Sequence, residues 1–271
     1  MRSNGGSTVP AIEAGSIELG ALRVAVRGWF AWAPGRETRA AWRAWAGNGG
    51  GNGGGPADDG DALPVLPMML RRRATPLGQK MIGCALACGE AARTARFVLA
   101  SRHAELSRTV GILDAMAAGE LPSPAEFSMA VHHGLAGLLS IHTGNRAGHT
   151  ALSAGHDSFG FGLMEAAACL ADNPAEPALL MHGDEPMPGP YADFAADDEP
   201  GLPLAFALAL GPAGGGGEEI VFTATPIAAA PAHGAAPPER AAALEFLRFL
   251  LSGAAAGEAR GARMLWGWHR A

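Results

Sequence analysis

Short apolar runs that suggest strands alternate along the chain with segments whose apolar residues recur at helical spacing. Ile17 to Trp32 mixes β-branched and aromatic residues as a strand does, and Glu37 to Gly47 repeats tryptophan as a helix does. The run from Ala95 to His103 is apolar until its last residues, which is typical of a buried parallel strand. Further helices are predicted over 105–118, 128–141, 159–171 and 239–251, and further strands over 149–154 and 177–185. This alternation predicts an α/β fold in which helices sandwich a mainly parallel sheet.

Two later apolar runs, over 202–211 and 218–226, flank a glycine-rich stretch. Such a pair predicts an antiparallel hairpin near the C-terminus. The stretches 47–62 and 211–217 are predicted to be flexible inserts, because glycine loses the most entropy on ordering and little in them buries apolar surface.

The ends and linkers set the predicted domain limits. Residues 1–16 carry no apolar pattern and are predicted to be disordered, and the Pro/Ala-rich segment 226–238 is predicted to be a linker. Residues 17–271 are therefore interpreted as one domain with loose inserts.

Composition narrows the function classes. The chain has 271 residues, of which 48% are hydrophobic, and that is enough for one substantial core. A formal net charge of −6 argues against a nucleic-acid partner, since such proteins concentrate excess Lys and Arg on one face. No apolar stretch reaches the roughly 20 residues that span a bilayer, and the N-terminus lacks a signal-peptide pattern. These features predict a soluble, cytoplasmic protein without a membrane span.

The cysteines and histidines suggest neither a disulfide framework nor a metal site. Cys84, Cys88 and Cys169 are an odd number without a CxxC pair, so we expect small buried apolar residues. The histidines crowd one region but lack the one-turn spacing of a metalloprotease helix, and we expect no metal or other cofactor. They are His132, His133, His142, His149 and His156.

Residues 127–186 resemble the centre of the N-terminal half of the β-ketoacyl synthases. In that family an N-x-x-A-G-x-x-S-I helix precedes a loop, a strand, and an elbow that carries the nucleophilic cysteine. Here Gly144 to Gly148 match the loop, Leu152 to Ala154 match the strand end, and Gly155 falls where the cysteine belongs. The helix motif is matched by Ala136, Gly137, Ser140 and Ile141, with His133 in place of the asparagine.

Further segments resemble one branch of the superfamily. WFAWAPG, PMMLRRR, SRHAELSRTVGIL, the SPAEFS turn and DEPMPGPY are similar to short synthase-like N-terminal-domain proteins of aryl-polyene-type pathways, whose members are labelled chain-length factors. The resemblance runs from Ile17 to the terminal WGWH. It implies a thiolase-like half-fold.

The resemblance also implies a role without catalysis. A condensing synthase needs a thiolate to accept the acyl chain, and Gly155 has no side chain. We therefore expect a partner that pairs with a β-ketoacyl synthase as a heterodimer and shapes its acyl tunnel, in polyketide or fatty-acid-like biosynthesis. In the superfamily the strand before the elbow, His149 to Ala154 here, pairs across the dimer. The candidate acyl-pocket residues are Phe127, His133, Gly155, His156, Phe159 and Phe161.

The basic run Arg71, Arg72 and Arg73 lies in a predicted turn. It is a candidate docking site for an acyl carrier protein, which is acidic, and a solvated turn explains it equally well.

An enzymatic alternative rests on Ser158. The sequence HDSFG resembles the G-x-S-x-G elbow of an α/β serine hydrolase, although the first glycine is one residue early. An acyltransferase with a less obvious nucleophile is a second enzymatic alternative. A simpler explanation makes Asp157 or Ser158 the N-cap of the following helix.

Overall fold

The computed structural model describes residues 19–47, 62–189, 191, 203–227 and 241–271. The predicted disordered N-terminus over 1–16, nearly all of the insert 47–62 and most of the linker 226–238 lie outside these residues.

The described residues form helices and strands with the following bounds. The strands are β1 (Leu19–Trp32), β2 (Arg96–Ala100), β3 (His149–Leu152), β4 (Ala178–Asp184), β5 (Leu204–Gly211), β6 (Glu218–Pro226), β7 (Ala256–Arg260) and β8 (Met264–Arg270). The helices are α1 (Arg39–Gly47), α2 (Met68–Arg73), α3 (Pro76–Leu86), α4 (Ala91–Thr94), α5 (Leu106–Ala117), α6 (Pro124–Met129), α7 (Gly134–Thr143), α8 (Ser158–Asp172) and α9 (Ala242–Ser252).

The described strands form one 8-stranded sheet in the order β3-β2-β4-β5-β1-β6-β8-β7. Strand β2 pairs in parallel with β3 and β4, and the other neighbouring strands pair antiparallel. The predicted helix-flanked α/β fold is confirmed, but its sheet is mixed, and the parallel part is confined to β2, β3 and β4. The difference begins at the β4–β5 pair, because β5 runs against β4 and each later pair in the strand order, including both pairs made by β1, is also antiparallel.

Helices cover the sheet on both faces and create two cores. Helices α1, α8 and α9 pack on one face, and α3 and α7 pack on the other. Strand β5 shows how the two faces differ: Phe206 and Leu208 point to the first core, while Ala205 and Ala207 point to the second. The small alanine face lets α3 lie close to the sheet, so that the Cys84 thiol is 3.6 Å from the Ala205 carbonyl oxygen.

The predicted hairpin of residues 202–211 and 218–226 is wrong. These segments are β5 and β6, and β1 lies between them. The glycine-rich connection crosses β1 at a bulge near Arg27, whose guanidinium donates to the Gly215 carbonyl oxygen at 3.2 Å. The antiparallel hairpin at the C-terminus is instead formed by β7 and β8.

The basic run is helical, which corrects the predicted turn. Arg71, Arg72 and Arg73 form the last turn of α2, and the completely buried Leu70 anchors this short helix in the second core.

Candidate functional site

The elbow, defined as residues 153–158, connects edge strand β3 to helix α8. Gly155 has a φ of +61°, a left-handed conformation that glycine adopts without a Cβ penalty. It begins a single 3₁₀ turn, Gly155–Asp157, that leads into α8 at Ser158. A Cβ added to Gly155 would meet nothing within 4 Å. The elbow therefore has the strand, sharp turn and helix that present a nucleophile in related folds, but it carries no side chain at its apex.

The Ser158 hydroxyl is used within the elbow. It donates to the Gly155 carbonyl oxygen at 2.7 Å and accepts from the Ala154 backbone N–H at 2.9 Å. The side chain is buried, with 1% of its surface exposed. Both bonds hold the turn closed, and this geometry does not suit a nucleophile that must be accessible to substrate.

Asp157 ties the elbow to the C-terminal hairpin. Its completely buried carboxyl group accepts from the Trp266 indole N–H at 2.9 Å and from the Arg263 backbone N–H at 2.9 Å. Gly261 leaves room for this carboxyl group, because a Cβ at that position would collide with Oδ1. The prediction that Asp157 or Ser158 caps α8 through its side chain is wrong, since neither bonds to the first amides of the helix.

A second buried network lies at the carboxyl ends of the parallel strands. The Asp184 Oδ1 atom accepts from the Ser101 hydroxyl at 3.0 Å and from the Arg102 backbone N–H at 2.7 Å. The Arg102 carbonyl oxygen accepts in turn from the Ser153 hydroxyl of the elbow at 2.8 Å. One carboxyl group thereby fixes the ends of β2, β3 and β4 relative to one another.

His182 also belongs to this network. Its Nδ1 atom lies 2.9 Å from the Ala100 carbonyl oxygen, and its Nε2 atom lies 3.6 Å from Asp184 Oδ2. Burial lowers the pKa of His182, and the nearby Asp184 partly opposes that shift. His182 and Asp184 were not among the site residues predicted from the sequence. The available signal was a histidine and an aspartate at the end of an otherwise apolar strand.

A groove of about 430 Å³ opens beside the elbow. Its wall is built by the end of β3 and by one face of α8, on which Phe161, Met164 and Ala168 follow at helical spacing. Phe161 is held in place by an edge-on contact with Trp266 at 5.1 Å and by the Arg263 guanidinium at 5.7 Å. The lining residues are Leu152, Ser153, Ala154, Phe161, Met164, Glu165, Ala168 and Arg263.

The candidate acyl-pocket residues do not share one cavity. Phe159 is a core residue, packed against Phe206 and Phe246. Phe127 is 67% exposed on α6, and His133 is exposed at the start of α7. His156 is half-buried at the elbow beside the exposed Gly155, and Phe161 lines the groove.

The three cysteines are not placed for catalysis at the elbow. Burial raises the pKa of the Cys84 thiol well above its usual value and raises the pKa of Cys88 to about 12. Cys169 is half-buried near the far end of α8, about 16 Å along the helix from Ser158 at 1.5 Å per residue. Burial, followed by the nearby Glu165, raises its pKa as well. All three therefore favour the thiol form over the nucleophilic thiolate.

Arg71, Arg72 and Arg73 are exposed on α2. Val65, a few residues before α2, is 90% exposed. Met68 and Met69, also exposed, complete a surface that is both basic and apolar.

Across the described ranges, no group of three potential metal ligands comes together. The same ranges contain no helix long and apolar enough to cross a membrane.

The fold and the elbow define the class of protein. The chain belongs to the family of the β-ketoacyl synthase N-terminal domain, whose sequence profile matches residues 42–269. Its mixed sheet between helix layers is the thiolase-like fold.

Solved structures add particular relatives. The chain is 28% identical, with a TM-score of 0.76, to a chain from the complex of the ketosynthase ApeO with its chain length factor ApeC from Xenorhabdus doucetiae. The match covers 92% of this chain and 100% of that chain. No curated protein sequence matches the chain.

Two more distant structures support the fold alone. The ishigamide ketosynthase/chain length factor has 16% identity and a TM-score of 0.54, over 72% of this chain and 63% of that one. A β-ketoacyl synthase from Burkholderia phymatum STM815 has 15% identity and a TM-score of 0.52, over 86% of this chain and 71% of that one.

Proposed function

We propose that this chain is a chain-length-factor-like, non-catalytic partner of a β-ketoacyl synthase in polyketide or fatty-acid-like biosynthesis. The observation that carries the proposal is the elbow itself. Its geometry is that of a nucleophile elbow, yet Gly155 occupies the apex. The nearby Ser158 hydroxyl is engaged in two hydrogen bonds with backbone groups. A chain with this elbow can bind and shape an acyl pocket, while the thiolate is supplied by another polypeptide.

The relatives support a paired role. The solved structure with 28% identity is a complex of a ketosynthase with its chain length factor. By analogy, we propose that this chain forms a heterodimer with a synthase subunit. The three free cysteines suit a reducing compartment, and we place the pairing in the cytoplasm.

The proposed interface contains β3 and the groove beside it. Strand β3 is an edge strand of the described sheet and pairs only with β2 within it. An unpaired edge beside an apolar groove is a surface that a protein partner covers. Large apolar side chains are also exposed on and near α5, α6 and α7. They are Leu113, Met116, Phe127, Val131 and Ile141.

We propose that this same surface closes the acyl tunnel of the synthase partner. Phe161 is immobilised by Trp266 and Arg263, so it can form a fixed wall beside the elbow. Phe127 offers an exposed aromatic ring on α6. Both side chains would reach acyl substrate only after the partner has covered the surface.

Co-expression with β-ketoacyl synthase candidates from the same genome tests the proposal. One candidate carries an affinity tag, and purification through that tag should recover this chain at equal stoichiometry. Condensation activity should require the synthase cysteine, and the synthase alone should make a different distribution of product lengths. Recovery of this chain alone as a stable monomer that condenses two acyl units would contradict the proposal.

Acylation of the isolated chain is the first specific prediction. After incubation with acyl-carrier thioesters, intact mass spectrometry should show the unmodified chain, because the elbow has no nucleophile. A covalent acyl adduct on Ser158 or on any cysteine would overturn the non-catalytic role.

The variant Gly155→Cys supplies the matched control. The position is exposed and open, and it precedes the N-terminus of α8, which stabilises a thiolate, although its φ of +61° strains any residue with a Cβ. We expect iodoacetamide to label this introduced thiol about tenfold faster than Cys84, Cys88 or Cys169. Equal labelling rates would mean that the elbow does not present its apex to solvent.

Carrier docking is the second prediction, and it depends on α2. Three adjacent arginines and the exposed Met68 and Met69 fit an acidic carrier protein through both charge and apolar contact. Because the whole chain carries a net charge of −6, this local basic surface is where an acidic partner would meet least repulsion.

Reversing Arg71, Arg72 and Arg73 to glutamate should weaken carrier binding to the assembled complex about tenfold and remove most of its salt dependence. The control reverses Arg260, which is exposed on β7 at the far edge of the sheet. Equal losses per reversed charge from the two variants, measured by titration calorimetry, would assign the effect to overall charge and reject α2 as the docking site.

A further inference from the structure

Two imidazole rings stack at the edge of the sheet. His133 precedes α7, and His149 is the first residue of the edge strand β3. Their ring centroids are 5.5 Å apart, and the ring planes differ by 22°. Both residues are exposed. We call them the histidine pair, and it lies on the strand that the proposed function assigns to the partner interface.

The surroundings of the histidine pair are basic. From β2, the Arg96 guanidinium donates to the Ala147 carbonyl oxygen at 3.4 Å, two residues before His149. The turn between α7 and β3 carries the exposed Arg146. His132, next to His133, has its Nε2 atom 2.9 Å from the carbonyl oxygen of Leu152 at the other end of β3.

Among the described residues, two acidic groups lie near enough to matter for this charge. Asp184 acts on His132, although its carboxyl group is engaged by Ser101 and Arg102. From α8, Glu165 faces the groove beside Leu152 and contacts the Cys169 thiol. Neither carboxyl group belongs to the turn or the strand that holds the histidine pair.

The physical consequence depends on protonation. Neutral imidazoles stack favourably, whereas two imidazolium ions at this separation repel each other and also repel Arg96. Partial desolvation, then His133 and Arg96, lowers the pKa of His149 although its side chain is exposed, and burial lowers the pKa of the half-buried His132. The neutral forms of His149 and His132 therefore predominate near pH 7, and their charge accumulates only as the pH falls below the usual histidine value of about 6.5.

We infer that protonation of His149, which is stacked on His133 beside Arg96, loosens the association of this chain with its synthase partner, so that the heterodimer is weaker in mildly acidic than in neutral solution. The inference rests on the proposed function, because it needs a partner strand along β3. Acid adds positive charge at the N-terminal end of the one strand edge that the partner must approach. A charged imidazole is less stable at an edge that the partner covers than at an edge open to water, because covering it removes its hydration.

The sign follows from proton linkage. A histidine whose folded-state pKa is lowered binds fewer protons in the folded than in the unfolded chain. Its contribution is therefore complete above the unfolded value and decreases as the pH falls below about 6.5. Association should follow the same direction, with tight pairing at neutral pH and weaker pairing in acid.

The experiment measures the dissociation constant of the full chain and its tagged synthase partner at about pH 7.5 and about pH 5.8. For each protein variant, the dissociation constant in acid is divided by the constant at neutral pH. This ratio removes any effect of the substitution that does not depend on pH. We expect about a tenfold ratio for the native chain. For His149→Phe, which keeps an aromatic ring but cannot titrate, we expect less than about a threefold ratio.

Two further variants keep the outcome decisive. His149→Gln tests the same loss of titration with a different side chain, and thermal melts establish that each variant is folded at both pH values. His142→Phe, on α7 but outside the pair, should keep the native ratio. Native and His149 variants with equal ratios would overturn the inference while leaving the heterodimer intact, whereas no complex at either pH would overturn the proposed function itself.

Discussion

Replacing Asp157 with alanine should lower the free energy of unfolding by about 3 kcal/mol. The buried carboxyl group accepts hydrogen bonds from the Trp266 indole and the Arg263 backbone, and its loss leaves both donors unpaired beside a cavity. Urea titration followed by tryptophan fluorescence measures this effect directly, since Trp266 is one of the groups released.

Two companion variants separate the loss of these two hydrogen bonds from the general effects of losing an aspartate. Asp157→Asn keeps the shape and one acceptor oxygen, and should cost about half as much. Asp172→Ala, at the exposed end of α8, should change stability by less than about 0.5 kcal/mol. Equal losses for Asp157→Ala and Asp172→Ala would show that the elbow does not depend on the C-terminal hairpin.

Replacing Met164 with arginine should weaken binding to the synthase partner by about a hundredfold or more. Met164 is half-buried in the wall of the groove between α8 and the edge strand β3. A covered interface would bury the new guanidinium in a largely apolar groove, and even with Glu165 in the lining its desolvation is more costly than losing one apolar contact. Biolayer interferometry with the immobilised synthase gives the dissociation constants.

The matched control is Met69→Arg. Met69 is an exposed methionine on α2, which packs on the opposite face of the sheet from α8. It should leave synthase binding within about threefold of the native value. A Met164→Arg variant that binds as well as the control would place the interface elsewhere on the chain.

Most elements could be predicted from the sequence because each carries a local signal. The Trp42 and Trp45 spacing indicated α1, and the apolar run before Ser101 indicated β2. The signal for α2 was misinterpreted, because three arginines suggest a solvated turn. Their helix is specified by Leu70, whose burial depends on contacts far along the chain.

The strand order could not be predicted in the same way. Two apolar runs joined by glycines are the usual signature of a hairpin, and nothing local reveals that β1 separates them. The pairing of Ala25 with Gly211 is decided by tertiary packing. The hairpin of β7 and β8 was missed for a related reason, since β7 reads AGEAR and has little strand-like character.

In the candidate site, too, local features could be predicted from the sequence and long-range contacts could not. The apex at Gly155 was found because the motif before it and the helix after it are contiguous in sequence. The bond from Trp266 to Asp157 and the network around Asp184 join segments that are distant along the chain. Local reasoning gave Asp157 and Ser158 the nearest available role, that of a helix cap, while the folded chain uses both side chains elsewhere.

The central position of β1 affects how the protein is made. Its neighbours β5 and β6 leave the ribosome long after it does, so neither edge of β1 can be paired until β5 has been synthesised. Until then an apolar strand is available to other nascent chains. Slow synthesis or a premature stop after α8 should therefore yield aggregates rather than a smaller folded fragment.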